Sequence, residues 1–279
     1  MPRRQANMKS AVERHYGIAD LAGKIAASLR GAGKDLERLT TADLAPIDEF
    51  HIRGREATVE LAKRMEIGAG SLVLDIGSGL GGPARAIAEA HGCRVTGIDL
   101  SAEFCETAQQ LSRWVGLSNK VSFSRGDATD LPFASGTFDA AMTLHVGMNI
   151  AAKDLLYAGA RRVLKPDRIF AVYDILRGEG GEVLYPVPWA RDRSISHLAT
   201  PSEMRKHLEG AGFRIEAEED STDASERWFK RTAAQMAVSS APPVGLRQFL
   251  GSDAAQMTSN QVRNLTERRI RTVTYICRS

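Results

Sequence analysis

The pattern of hydrophobic and polar positions changes near residue 71 of this 279-residue chain. Upstream, residues 11–30 and 53–65 carry apolar side chains at roughly helical spacing, which predicts two helices joined by a linker over 31–50. Downstream, short apolar runs of strand length alternate with stretches of helical period. This alternation is typical of βαβ units, in which right-handed crossovers connect parallel strands. We predict the first five strands at 71–76, 94–99, 121–123, 138–144 and 169–176.

The alternation stops after the fifth strand. Residues 177–199 contain several glycines and prolines, and a connection of this length is often functional. A capping-box pattern at 200–203 then opens a helix, and further strands are expected at 213–219 and 272–277. The sequence therefore predicts an α/β fold with a seven-stranded, mostly parallel sheet and helices on both faces. The predicted organisation is an N-terminal helical cap at 1–66 and a main domain at 67–279, with an inserted lid at 177–200.

A glycine-rich loop lies between the first predicted strand and its helix. Gly77, Gly79 and Gly82 fit the spacing G-x-G-x-x-G, and Gly81 provides the alternative G-x-G-x-G. The second strand ends at the acid Asp99, about 20 residues further on, as in nucleotide-binding folds. Glycine lets the backbone approach a ligand closely, and such an acid can accept hydrogen bonds from two ribose hydroxyls. The loop predicts a nucleotide-type cofactor, although a tight turn without a ligand would need the same glycines.

Asp75 distinguishes between two such cofactors, because it lies at the mouth of the loop. A nicotinamide dinucleotide would bring a charged pyrophosphate there, and a carboxylate repels it. S-adenosylmethionine carries a sulfonium and an ammonium group instead, and a carboxylate attracts both. We therefore expect S-adenosylmethionine, with an NAD(P)-dependent oxidoreductase as the distant alternative.

Four ordered motifs carry a family resemblance. Residues 73–82, 97–101 and 126–128 resemble the first three motifs of class I S-adenosylmethionine-dependent methyltransferases. Residues 163–166 resemble the segment before the fifth strand of that family. The resemblance covers roughly residues 70–220, and it implies a Rossmann-like sheet whose final strand is reversed.

The resemblance also implies where the cofactor binds. It assigns the ribose to Asp99, the adenine to Asp127 and Ala128, and the methionine moiety to Gly77 and Gly79. Further cofactor-binding residues are predicted from their position at the loop or at a strand end. The predicted cofactor-binding residues are Asp75, Gly77, Ser78, Gly79, Gly81, Asp99, Leu100, Asp127, Ala128 and Leu144.

The acceptor is expected beyond the carboxyl ends of the strands, where ligands of open parallel sheets lie. His145 follows the fourth strand and is the predicted catalytic residue, because it could take a proton from the acceptor. The alternative is a histidine that only packs against the loop. Arginines in the added segments could clamp a carboxylate or a phosphate. The predicted substrate-binding residues are Tyr16, His51, Arg53, Trp189 and Arg191.

Composition narrows the classes of partner. The net charge is only +3, with 37 Lys and Arg against 34 Asp and Glu, and we expect no nucleic-acid partner. The three cysteines form no C-x-x-C pair, and no apolar run of about 18 residues is present. We therefore expect a cytoplasmic protein without a signal peptide or a membrane span. The six histidines lack metal-ligand spacing, and we predict no metal site.

The pattern is most similar to small-molecule methyltransferases. The first expectation for the acceptor is an amine, as in sarcosine and dimethylglycine N-methyltransferases. The alternative is carbon methylation of an isoprenoid diphosphate, a sterol or a quinone. A cofactor-binding protein without catalysis is a third class. The sequence leaves the oligomeric state open, and a homodimer is among the states that it allows.

Overall fold

A seven-stranded sheet forms the centre of the computed structural model, which describes residues 20–238, 245 and 250–279. The strands are β1 (Leu72–Ile76), β2 (Arg94–Asp99), β3 (Val121–Arg125), β4 (Phe138–Leu144), β5 (Leu164–Arg177), β6 (Arg214–Asp220) and β7 (Ile270–Arg278). Their order across the sheet is β3-β2-β1-β4-β5-β7-β6. The first five are parallel, and β7 runs antiparallel to both of its neighbours. The predicted fold class, including the reversed final strand, is confirmed.

Helices flank the sheet on both faces. They are α1 (Leu21–Gly31), α2 (Thr41–Asp48), α3 (Gly54–Ala62), α4 (Gly82–His91), α5 (Ala102–Trp114), α6 (Lys153–Val163), α7 (Pro201–Gly210), α8 (Thr222–Val238) and α9 (Ala254–Thr266). Successive side chains of a strand point to opposite faces, so Val73 packs in one hydrophobic cluster and Leu74 and Ile76 in the other. Burial on both faces explains why β1 reads as a continuous apolar run.

One prediction about the N-terminal region is wrong. The expected linker over 31–50 contains α2, even though Pro46 lies inside this helix. A capping box begins the helix, because the Thr40 side chain accepts from the Asp43 backbone and the Asp43 side chain accepts from the Thr40 backbone. The capping box therefore favours a helix start strongly enough to offset the backbone hydrogen bond that Pro46 cannot donate.

A buried ion pair attaches α2 to the glycine-rich loop. Both side chains are at most 1% exposed, and Nη2 of Arg85 donates to Oδ2 of Asp48 at 2.6 Å. The same guanidinium donates to the carbonyl oxygen of Leu80 in the loop and to that of Ala108 in α5. A Cβ atom on Gly82 would lie 2.4 Å from the Asp48 carbonyl oxygen, so the close approach of α2 requires a glycine there. The Arg85 side chain thus joins α2, the glycine-rich loop and α5.

No helix within the described ranges has both the length and the apolar character needed to cross a membrane.

The ion pair generates a stability prediction. Arg85→Met leaves the buried Asp48 carboxylate unpaired, and we expect a loss of about 3–5 kcal/mol in the free energy of unfolding. The control is Arg231→Met, which breaks a half-exposed pair with Glu56 and should cost less than about 1 kcal/mol. Urea unfolding measures both values. The double variant Arg85→Met with Asp48→Leu should regain much of the loss. Equal losses for Arg85→Met and Arg231→Met would contradict the prediction.

Candidate active site

One cavity of about 260 Å³ lies at the carboxyl ends of β1, β2 and β4. One end is formed by the glycine-rich loop and by acids that follow the strands. The other end is formed by aromatic, apolar and neutral polar side chains from the segments outside the sheet. We call these the carboxylate end and the acceptor end. Most of the predicted cofactor-binding residues line the cavity, namely Asp75, Gly77, Ser78, Gly79, Asp99, Leu100, Asp127, Ala128 and Leu144.

Asp99 holds the glycine-rich loop with part of its hydrogen-bonding capacity. Its Oδ2 accepts from the Gly79 backbone at 2.9 Å, and its Oδ1 accepts from the Ser101 backbone at 2.9 Å. A carboxylate can accept about four hydrogen bonds. Asp99 therefore keeps acceptor capacity for a ligand in the cavity. Burial raises the pKa of this carboxyl above its usual value, and the backbone donors partly oppose that effect.

Asp75 and Ser78 are buried at the cavity wall with polar atoms that lack partners. Oδ2 of Asp75 and Oγ of Ser78 make no hydrogen bond within the described residues. Burial, and then the neighbouring charges of Asp99 and Glu49, raises the pKa of Asp75 to about 8. Buried polar groups are nearly always hydrogen-bonded in native proteins, so these two groups indicate a ligand that supplies donors.

The glycines of the loop occupy different surroundings. Gly79 has φ +52° and lines the cavity. A Cβ atom there would have no heavy atom within 4 Å apart from those of Gly79 and its two chain neighbours. Gly81 has φ +77° and precedes α4, but its Cβ would lie 2.4 Å from Cζ of Phe123. The structure does not bring Gly81 to the cavity. Its conformation and its packing against Phe123 explain the glycine there without a cofactor contact.

The acceptor end is mainly apolar. Its polar members are His51, His145, Asn149, His197 and Gln261. Burial lowers the pKa of all three histidines, so their imidazoles are neutral at pH 7. The apolar members include Phe50, Met148, Ile175, Pro188, Trp189 and Leu250.

His51 is held in a defined orientation. Its Nε2 donates to the carbonyl oxygen of Gly54 at 2.9 Å and lies 3.5 Å from Oε2 of Glu49. Glu49 is itself held by Nε of Arg55 and by the hydroxyl of Thr58, each at 2.6 Å. Desolvation lowers the pKa of His51 to about 4, so the ring is neutral at pH 7. Its hydrogen bond to the Gly54 carbonyl places the single proton on Nε2 and leaves the lone pair on Nδ1.

His145 lies where the sequence predicts it, directly after β4, and lines the cavity. Its φ is +54°, a left-handed conformation that is uncommon for a residue with a Cβ atom. Its ring packs 4.8 Å from that of Tyr173 and 5.9 Å from that of His51, measured between ring centroids. Its Nε2 is buried without a hydrogen bond in the described part of the chain.

Among the four predicted substrate-binding residues that the structure describes, it brings His51 and Trp189 to the cavity. Arg53 instead donates to Glu60 at 2.5 Å, and Arg191 forms an ion pair with Asp253. Tyr16 lies outside the described residues. Sequence reasoning assigned the arginines by their charge, but nearby carboxylates hold both of them away from the cavity.

The sequence interpretation missed the segment between β6 and β7. Leu250 and Gln261 from this segment line the cavity. The available signal was a pair of amides, Gln261 and Asn264, on the buried face of α9 between Met257 and Leu265. Amides on an apolar helical stripe usually have a specific partner or function.

Polar anchors attach the inserted segment 177–200 to the cavity wall. The side-chain amide of Asn149 donates to the carbonyl oxygens of Trp189 and Ile195, and the ammonium group of Lys153 donates to that of His197. Asn264 exchanges two hydrogen bonds of 2.9 Å with the backbone of Leu184. The insertion therefore forms a fixed wall of the cavity.

Within the described residues, no group of three or more His, Cys, Asp or Glu side chains could hold a metal ion.

Comparisons with known proteins identify the domain. Residues 74–172 match the family model described as a methyltransferase domain. A sterol 24-C-methyltransferase from Eremothecium gossypii is 33% identical over 183 residues, which cover 58% of this chain and 45% of that protein. The chain spans about half the length of the curated relatives that it matches. The family resemblance found in the sequence is confirmed: the chain carries a methyltransferase domain.

Solved structures share the fold. The 4+2 cyclase SpnF matches with a TM-score of 0.65 and 26% identity over 80% of both chains. A geranyl diphosphate C-methyltransferase from Streptomyces coelicolor matches with a TM-score of 0.65 and 15% identity, over 80% of this chain and 78% of that chain. These structures show the fold, and the methyltransferase domain indicates S-adenosylmethionine as the cofactor. The carboxylate end fits this group, because it offers acceptors for hydroxyls and for an ammonium ion.

The two loop glycines generate a matched prediction. Gly79→Ala and Gly81→Ala both place a Cβ atom on a left-handed backbone, which costs about 1–2 kcal/mol. Gly81→Ala also collides with Phe123, and such overpacking adds about 1–3 kcal/mol. Urea unfolding of the ligand-free protein should show the larger loss for Gly81→Ala. Equal losses, or a larger loss for Gly79→Ala, would refute the packing argument.

Proposed function

We propose that the protein transfers a methyl group from S-adenosylmethionine to a small-molecule acceptor in this cavity. The observation that carries the proposal is the continuity of the cavity from the carboxylate end to the acceptor end. A cofactor bound at the first end would point its methyl group toward the second. The end of β4, where Leu144 and His145 lie, marks the boundary between the two ends.

Each polar group at the carboxylate end has a proposed role. Asp99 binds the ribose hydroxyls with its remaining acceptor sites, and Asp127 and Ala128 bind the adenine. Asp75 and Ser78 face the methionine moiety, whose ammonium group supplies the donors that both lack. Gly77 and Gly79 let this moiety approach the backbone, and Leu100 and Leu144 pack against the nucleoside. These roles rest on the position of each residue at the cavity wall.

The chemical demands on the protein are small. When bound, S-adenosylmethionine supplies a methyl group on a positively charged sulfur. The residues of the chain then need to orient the acceptor and exclude water, which accounts for much of the rate gain in such reactions. We propose that residues 1–66 act as a cap and that 177–200 act as the inserted wall. Support comes from Phe50, His51 and Trp189, which line the cavity from these two segments.

The amine acceptor and the carbon acceptor are both compatible with this domain. The relatives include sterol 24-C-methyltransferases, and the structural neighbours include a protein titled as a putative sarcosine dimethylglycine methyltransferase. An amino acid or a diphosphate would need a cation, however, and no Lys or Arg of the described residues lines the cavity. The predicted arginine clamp therefore has no support from Arg53 or Arg191.

Calorimetry with S-adenosylhomocysteine tests the proposed function. The wild-type protein should bind it, and Asp99→Ala should weaken binding by about 1–3 kcal/mol because ribose hydroxyls lose their acceptor. Asp154→Ala, at an exposed position in α6, is the control and should bind normally. Transfer of a labelled methyl group to an acceptor then separates a methyltransferase from a protein that only binds the cofactor. Absence of binding to the wild type would refute the proposal.

The raised pKa of Asp75 predicts coupling between cofactor and proton binding. Its value of about 8 means that the ligand-free protein holds this proton at pH 6.5, and an ammonium ion beside it favours release. Calorimetry of S-adenosylmethionine binding in two buffers of different ionisation enthalpy should detect roughly one released proton. In Asp75→Asn, the number of protons released on binding should be lower by roughly one.

The same carboxyl also affects the stability of the ligand-free protein. A folded-state pKa above the unfolded value stabilises the folded state at low pH, and this contribution is lost as the pH rises from about 4 to about 8. The stability of Asp75→Asn should therefore decline less than that of the wild type over this interval. Identical pH dependence of binding and stability in both proteins would contradict the assignment.

A further inference from the structure

Apart from three neutral imidazoles, the ionisable side chains of the described residues that line the cavity are all carboxyl groups. Asp48, Asp75, Asp99 and Asp127 line it, and no Lys or Arg does so among the residues that the structure describes. Asp48 is neutralised by Arg85 behind the wall, at 2.6 Å. A carboxylate or a phosphate on the acceptor would meet negative groups without a compensating cation, and burying such an anion unpaired is strongly unfavourable.

The polar groups at the acceptor end are uncharged. His51, His145 and His197 are neutral at pH 7, and Gln261 is an uncharged amide. Of the groups whose charges act on His51, Asp48 is the carboxylate that lines the cavity, and it is paired with Arg85. Neutral donors and acceptors in an apolar wall suit a ligand with hydroxyl groups.

His51 has the features of a general base. The Gly54 carbonyl fixes its tautomer, which leaves the lone pair on Nδ1, and the ring lines the cavity. Glu49, 3.5 Å from Nε2, would stabilise the ring once it is protonated. The other charges facing His51 are Asp48, Arg53 and Arg55. A base that is oriented by one group and stabilised by a carboxylate is a recurring catalytic arrangement.

His145 lacks this support. Its Nε2 is buried without a hydrogen bond within the described residues, and no carboxylate is among the groups that shift its pKa. Its strained backbone places the ring beside those of Tyr173 and His51. The geometry therefore suits His145 for shaping the wall beside His51 better than for accepting a proton.

We propose that the acceptor is an uncharged, largely apolar hydroxyl compound and that His51 takes its proton; this inference rests on the proposed function. A bond forms between the hydroxyl oxygen and the methyl carbon as the bond from that carbon to sulfur breaks. The electron pair of the broken bond stays on sulfur, and the hydroxyl proton passes to Nδ1 of His51. The products are a methyl ether, S-adenosylhomocysteine and a His51 imidazolium that Glu49 balances.

Matched probes test the acceptor class. One set is 1-naphthol, 1-naphthylmethylamine, 1-naphthoic acid and 1-naphthyl phosphate, and the other is geraniol, geranylamine, geranic acid and geranyl phosphate. Binding to the full-length protein saturated with S-adenosylhomocysteine is measured by calorimetry. Within each set the alcohol should bind about tenfold or more tightly than the charged members, because these must be desolvated without a partner.

A charged probe that binds more tightly than the alcohol of its set overturns the acceptor class, and so does a lack of binding by every probe. Both results are distinct from failure of the proposed function, which is a failure to bind S-adenosylhomocysteine itself. A preferred amine would restore the amine acceptor.

His51→Gln tests the base, because a Gln amide can still donate to the Gly54 carbonyl. With the alcohol that is methylated fastest, kcat should fall about 10²–10⁴-fold. The KM and the affinity for S-adenosylhomocysteine should stay within about twofold, as expected for a group that acts only in the transition state. The control is His207→Gln, on the exposed surface of α7, which should match the wild type.

Nuclear magnetic resonance of ¹⁵N-labelled histidines in the wild type gives a readout that needs no turnover and no variant. We expect His51 to carry its proton on Nε2, with an unprotonated Nδ1, down to a pH of about 4. A proton on Nδ1 at neutral pH, an unchanged kcat in His51→Gln, or no methylation of any alcohol would each overturn the role of His51.

Discussion

The buried contact between Arg85 and Asp48 is the interaction on which the rest of the site depends. It satisfies a carbonyl of the glycine-rich loop, a carbonyl of α5 and a carboxylate of α2 with a single guanidinium. The loop can therefore keep its left-handed turns, and the segment that carries Phe50 and His51 lies over the cavity. Removing these charges from water is unfavourable, and their mutual attraction together with the hydrogen bonds to two carbonyl oxygens offsets that cost. The conformation of the loop and the position of α2 therefore depend on the same buried contact.

The sheet topology explains why the cavity is negative at one end and neutral at the other. Parallel strands end at the same edge, so Asp75 near the end of β1 and Asp99 at the end of β2 lie near each other, and the charge of Asp99 helps to raise the pKa of Asp75. The acceptor end is built from segments outside the sheet, whose arginines have carboxylate partners elsewhere. The proposal of a cationic cofactor beside an uncharged acceptor rests on this charge distribution.

Prediction from the sequence was most accurate for elements whose apolar pattern and flanking turn residues both lie within the same short segment. The observed bounds of β2 and β4 are the predicted ones, because each apolar strand is followed by turn residues. The carboxylate end followed from the loop and the strand ends for the same reason. The acceptor end could not be predicted to the same extent. Gln261 and Leu250 reach the cavity only through the packing of α9, and the partner of Arg191 is 62 residues away at Asp253. Helix α2 was missed because Pro46 argued against it, although the box at Thr40 and Asp43 was visible.

The anchors of the inserted wall have a consequence for how this domain diversifies. Asn149, Lys153 and Asn264 bind main-chain atoms of the insertion, at Trp189, Ile195, His197 and Leu184. Backbone groups are the same whatever side chain a residue carries, so the position of the wall does not depend on which side chains face the ligand. Substitutions at Trp189 or Ile195 can then alter the shape of the cavity while the frame around it persists. This separates the evolution of acceptor preference from the preservation of the fold, and it makes the insertion the natural target for a mutant library.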